Sequence, residues 1–413
     1  MNVSSLLSPT AQATLLLTSY FSKASSETAK PLTNAEWGRF AWWLKEKSAT
    51  PADLLVTEPK ALLQDWHDGR ISTERIIELL NRGHSLALAM ERWQRAGLWV
   101  VTRSDPEYPK RLKARLKTDC PPVLFGCGNK ALLNTGGLAV IGSRNASEPD
   151  LAFTDQVGAK AASEGIAVVS GGARGVDETV MLGAVRQGGV VIGVMADSLL
   201  KAATSSKWRK GLMDGHAVLV SPFYPEAGFS AGNAMARNKY IYCLADSSLV
   251  IHSGKKGGTL NGAEENLKQS WVPLWVKQTT DKDAANADLV AKGGRWLDAD
   301  MQAFKIADLI DNESSLANQV KEPIGDLFSL PAQPELFAET DSNPEIESEL
   351  VDFYQLFTAE LQRLAEKPVT FDALLEITQL HKSQLTEWLK RAVDDGVVKK
   401  LNRPVSYQIK NMK

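Results

Sequence analysis

Four stretches of this chain set glycine or a hydroxyl beside a cation, and each lies just beyond an apolar run. Gly142-Ser143-Arg144 follows the run 138–141, and Ser170-Gly171-Gly172-Ala173-Arg174 follows 166–169. Gly232-Asn233 leads into Arg237, Asn238 and Lys239 after the run 217–221, and Lys255-Lys256-Gly257-Gly258-Thr259 comes after 248–251. Glycine allows backbone to approach a ligand closely, a hydroxyl donates, and a guanidinium can grip two phosphate oxygens at once. Asn233 opens a helix, where free N–H groups attract anions, and the two lysines flank a glycine-rich turn that forms a further phosphate cradle. Each turn alone is explained by glycine's backbone freedom. Four together predict one phosphate-binding rim. The Gly-x4-Gly-Lys-Ser/Thr order of a nucleoside triphosphatase loop is absent.

Phosphate contacts suit a mononucleotide or a polymer, and the residues leave both open. A strand-binding groove would add stacking faces. Phe223, Tyr224, Phe229, Tyr240 and Tyr242 lie near the site in sequence, mostly as expected core, and Asn238 is a candidate to read a base edge. Asp177, Glu178, Glu264 and Glu265 are the nearby carboxylates. No Ser-His-Asp or Cys-His set accompanies them, and no catalytic residue is expected.

The elements that must position these turns are buried strands. Apolar runs at 138–141, 166–169, 190–195, 217–221, 248–251 and 272–276 are short, rich in valine and isoleucine, and separated by helical lengths of chain. That pattern fits a parallel sheet buried on both faces. Alternation with helices predicts a Rossmann-like, doubly wound α/β sheet, with ligands beyond the carboxyl ends of its strands. Residues 98–102 and 121–126 look extended, and 286–310 is expected to be helical.

At 413 residues the chain is long enough for two or three domains, and 44% hydrophobic with 23% charged residues makes it globular. The net charge of −2 gives no overall basic character, although a local basic groove can hide in a neutral total. Cys120, Cys127 and Cys243 are few and unpaired in spacing, which points to a reducing compartment and to neither disulfides nor a metal site. No cofactor is expected. No run reaches the ~18 apolar residues that cross a bilayer, so a cytoplasmic location is expected.

Residues 1–97 read as a small all-helical domain, with Gly69 and Gly83 between helices in the manner of helix-hairpin-helix modules. Residues 98–310 form the α/β core. Between 311 and 349 there are ten acidic residues against one basic, with prolines at 323, 331, 334 and 344, so this is a solvated linker. Residues 350–413 read as three helices and a hairpin, the order of a winged helix, with basic residues gathered in the third helix and the wing.

Tyr108-Pro109 with Leu112, Pro121-Pro122-Val123-Leu124-Phe125, Gly142-Ser143-Arg144, Ser170 to Asp177 and Arg237-Asn238-Lys239 together resemble the DNA-processing protein A family (DprA, also called Smf) from about Leu98 to Val276. The resemblance implies single-stranded DNA binding by the core, dimerisation through it, and delivery of DNA to the RecA recombinase in transformation or recombination. The chain departs from the family where Ala196-Asp197-Ser198-Leu199-Leu200 replaces a Gly-Thr-Gly-Leu-Asp-like turn. It departs again in the longer, more basic stretch from Ser253 to Leu260, and in 229–236, which has no Phe-Pro lead. Gly257-Gly258-Thr259 with Glu264-Glu265 is also similar to the LOG phosphoribohydrolases of this fold. That likeness implies a nucleotide sensor or N-glycosidase as the alternative.

Overall fold

The computed structural model describes residues 7–56, 58–297, 300, 304–310, 353–365, 367–378, 382–402 and 405–409. The chain divides into two compact units, 1–332 and 333–413. The acidic linker expected at 311–349 lies outside the described residues.

The first unit holds a nine-stranded sheet. Its strands are β1 (Trp99–Thr102), β2 (Val123–Gly128), β3 (Leu138–Ile141), β4 (Val168–Ser170), β5 (Val191–Val194), β6 (Ala217–Ser221), β7 (Ser247–Val250), β8 (Leu274–Lys277) and β9 (Arg295–Leu297), in the order β1-β2-β6-β5-β4-β3-β7-β8-β9. The seven strands from β6 to β9 in that order are parallel. Strand order therefore runs outward in both directions from β3, and the switch point falls between β3 and β7. In open sheets of this kind the crevice at the switch point is where ligands sit.

Alternate residues of each strand serve opposite faces. Leu138 and Val140 join Val157 and Val180 in one core cluster, while Ala139 and Ile141 join Tyr240 and Ile241 in another. Both sides of β3 are buried, which is why its sequence reads as a continuous apolar run.

The expected parallel strands are extended at both edges of the sheet, and the helix expected over 286–310 is cut short. β1 pairs with β2, and β2 with β6, in antiparallel register, so the extended segments at 99–102 and 123–128 complete one edge of the sheet. Among the described residues of 286–310, the α-helix covers Asn286–Ala291. Gly293 and Gly294 end it, β9 then adds beside β8, and a 3-10 turn covers Ile306–Leu309.

The helices before β1 carry a small core of their own, in which Trp37, Phe40, Leu44, Trp66 and Ile76 are buried. Leu15, Leu86, Met90 and Trp93 instead join the sheet's core, where Trp93 meets the ring of Phe125 edge-on at 5.0 Å. Chain on both sides of residue 97 thus shares one apolar interior.

The second unit has helices Phe353–Leu364, Phe371–Thr378 and Lys382–Asp394 and strands β10 (Val369–Thr370), β11 (Val398–Asn402) and β12 (Val405–Ile409). β12 lies between β10 and β11, and Leu361, Leu374, Leu385, Leu389 and Tyr407 form its core.

Candidate phosphate-binding rim

The turns beyond the parallel strands are tied to one another. The Ser143 N–H, just past β3, donates to the His252 carbonyl, just past β7, at 2.9 Å, which closes the switch point. Val176, which starts the helix after β4, donates to the Ser143 carbonyl at 3.4 Å. The Asn238 amide donates to the Gly258 carbonyl at 2.9 Å and so pins the helix Ala231–Leu244 to the turn after β7. Gly257, in the left-handed region at φ 115°, begins the next helix, Gly258–Gln269. Three of the four predicted turns, those after β3, β4 and β7, therefore meet at one rim, with the helix after β6 packed against them.

The cations do not share one fate. Arg144, Arg174, Lys255 and Lys256 are exposed. Lys255 lies 4.0 Å from Asp283, with both side chains in solvent, a loose pair of little energetic weight. Gly142, Ser143, Gly172, Gly258 and Thr259 are half-buried along the same edge. The Ser170 hydroxyl is not on offer, because it donates to the Val140 carbonyl at 2.6 Å within the sheet.

Arg237 was expected to face phosphate, and it is buried instead. Its side chain is 4% exposed and lies 3.4 Å from the Asp177 carboxylate, itself 6% exposed, while the same Nη1 donates to the Val194 carbonyl at 3.2 Å. A Cβ on Gly171 would stand 1.0 Å from that nitrogen, so glycine at 171 serves the guanidinium and not a ligand. Burial pushes the Asp177 carboxyl above the ordinary carboxylate range against the opposing pull of Arg237 and the Gly142 N–H, and burial likewise pulls Arg237 down. An arginine so placed remains charged and needs its partner. The reason for the burial is helical phase: positions 237, 241 and 244 share a face, and Ile241 and Leu244 lie in the core.

Lys239 also leaves the predicted set. It reaches Asp119 at 2.8 Å, on the segment between the helix Lys110–Leu116 and β2, and is only 16% exposed. Asn238 is spent on the Gly258 carbonyl. Asn233, three residues past the capping Ser230 hydroxyl, gives its backbone N–H to that cap at 3.3 Å.

Among the aromatics expected as core, Tyr240 and Tyr242 are buried, but Phe229 is 63% exposed. The Arg144 guanidinium stands 5.1 Å from its ring centroid. The Arg144 charge also acts on both Asp177 and Arg237, favouring the carboxylate of the one and opposing the charge of the other. Glu264, on which a glycosidase reading rests, is bound by Lys292, beyond the helix Asn286–Ala291. Burial pushes the Cys127 thiol up to about 11, which keeps it protonated near neutral pH.

Fold and site together define an open, mostly parallel α/β protein whose strand-end turns present arginine and lysine at a topological switch point. A family model described as DNA recombination-mediator protein A matches residues 99–307, and the chain belongs to that family. It is 26% identical over 233 residues to the DNA processing protein DprA of Bacillus subtilis, covering 52% of this chain and 78% of that one. It is 30% identical over 164 residues to protein Smf of Escherichia coli, covering 39% and 43% respectively, so it spans less than half of that relative. Among solved structures it is similar to DNA processing protein A from Streptococcus pneumoniae, at 19% identity with a TM-score of 0.48, covering 69% of this chain and 98% of that one. A second is DNA processing protein A from Helicobacter pylori, described for its single-stranded DNA binding mode, at 22% identity and a TM-score of 0.43, covering 54% and 98%. Among the described residues no helix is long and apolar enough to cross a membrane.

Proposed function

We propose that this chain binds single-stranded DNA by its phosphates along the rim at the carboxyl ends of β3, β4 and β7, and acts as a non-enzymatic recombination mediator. The observation that carries the reading is the set of exposed cations Arg144, Arg174, Lys255 and Lys256 on turns that bond to one another at the switch point of a sheet of this family. Basic groups in that arrangement neutralise phosphodiesters without regard to sequence. Delivery of the bound strand to a RecA-type recombinase, a homodimer built on the core, and a cytoplasmic location belong to the same proposal and rest on family membership.

The chain is read as four parts: helical 1–97, core 98–310, acidic linker 311–349, and 350–413 as a winged helix. Support for the last is the order helix, strand, helix, helix, strand, strand across 353–409. Side-by-side titration with a labelled oligonucleotide and with adenosine monophosphate tests the reading. Oligonucleotide affinity that falls steeply with salt, with no thermal shift from the mononucleotide, is the expected result. Mononucleotide binding alone, or no strand binding at low salt, would overturn it.

A further inference from the structure

Phe229 is a large aromatic side chain left mostly in solvent. It sits one residue before the capping Ser230 of the helix Ala231–Leu244. An apolar residue there ordinarily packs on the side chain four positions past the cap. That position is Ala234, which offers only a methyl group, and the ring is 63% exposed. The Arg144 guanidinium lies over the Phe229 ring, 5.1 Å from the centroid. Arg144 is itself an exposed cation of the rim, on the turn whose Ser143 closes the switch point.

We infer that Phe229 is a base-stacking residue: the flat ring beside the Arg144 guanidinium takes a nucleobase of the strand whose phosphates the rim holds. This inference rests on the single-strand reading above and deepens it. A guanidinium lying over a ring keeps its edge N–H groups free for phosphate oxygens, so one arginine can serve both the ring and the backbone. A base has the same apolar face whatever its identity, so the contact adds affinity without sequence preference. It also excludes duplex at this point, because a paired base keeps its faces inside the stack. Leu, Met or Val in place of Phe229 would provide apolar area but no aromatic plane.

The test compares two labelled strands of equal length, oligothymidylate and the same phosphodeoxyribose chain with abasic units throughout, on the full chain and on Phe229→Ala and Phe229→Trp. The native chain should prefer the base-bearing strand by roughly tenfold, within the range of one aromatic stack. Phe229→Ala should bring the ratio to within about twofold of unity, and Phe229→Trp should keep it. Because the readout is a ratio on one protein sample, a simple loss of folded protein does not mimic it. If both strands bind the native chain equally, or if Phe229→Ala keeps the preference, the stacking role is overturned while the phosphate rim stands. Binding of neither strand at low salt would overturn the rim and the stacking role together.

Discussion

Arg144 and Arg237 differ in environment, not in chemistry. Arg144 stands in solvent against one aromatic ring, on a turn after β3. Arg237 is locked between Asp177 and the Val194 carbonyl, pressed against Gly171. The first is free to meet an anion that arrives, whereas the second already holds one, supplied by the chain. The buried pair joins the helix after β4 to the helix after β6, and so fixes the surface on which the exposed cations sit. An arginine of a family motif can therefore be architecture at one position and stand open to solvent at another.

The comparison is sharpest where a partner is removed. Asp177→Ala leaves a buried guanidinium without its carboxylate and should cost about 3–5 kcal/mol, read from the urea midpoint. Replacing both, as Asp177→Ala with Arg237→Met, should recover part of that loss, and an equal or larger loss would count against the pair. Arg144→Ala should leave the midpoint unchanged while weakening oligonucleotide affinity roughly tenfold or more, the worth of a charge-assisted contact. Unfolding caused by this variant would erase the distinction between the two arginines.

A smaller effect concerns Asp150, which accepts from Ser147 at 2.7 Å and from Lys277 at 3.0 Å. Burial alone would raise its carboxyl, but those bonds and the Lys277 charge outweigh burial and hold it below the ordinary range. A carboxyl held low stabilises the fold when ionised, so its contribution is complete above about pH 4 and fades as pH falls through the native value. Asp150→Asn should therefore cost stability at neutral pH and little in acid, measured by urea midpoints across pH. Smallest of all, Lys239→Ala should change strand affinity by less than about twofold and cost no more than about 1 kcal/mol, since its partner Asp119 is solvent-facing.

Much of this fold was legible in residue order, because strands buried on both faces need unbroken apolar runs. β3 to β8 fall on the predicted runs. β9 was missed because Arg295-Trp296-Leu297 is a short edge strand with two of its three side chains exposed, too short to read as an apolar run. The meeting of the turns was legible from glycine, hydroxyl and cation at successive strand ends. The fate of each cation was not, since residue type says nothing of helical phase. The spacing of Arg237 from Ile241 and Leu244 held the signal, for it marks the apolar face. Phe229 stood out only as one of five aromatics near the site: an aromatic next to a helix start is ordinarily core, and only the small side chain at Ala234 hints otherwise.

Arg144 and Arg174 should together neutralise phosphodiesters at one rim. The salt dependence of single-strand affinity, measured for the native chain and for Arg144→Ala with Arg174→Ala, tests it most directly. Loss of two phosphate contacts should flatten the slope of log affinity against log salt by about 1.4. An unchanged slope in a folded double variant would contradict the account.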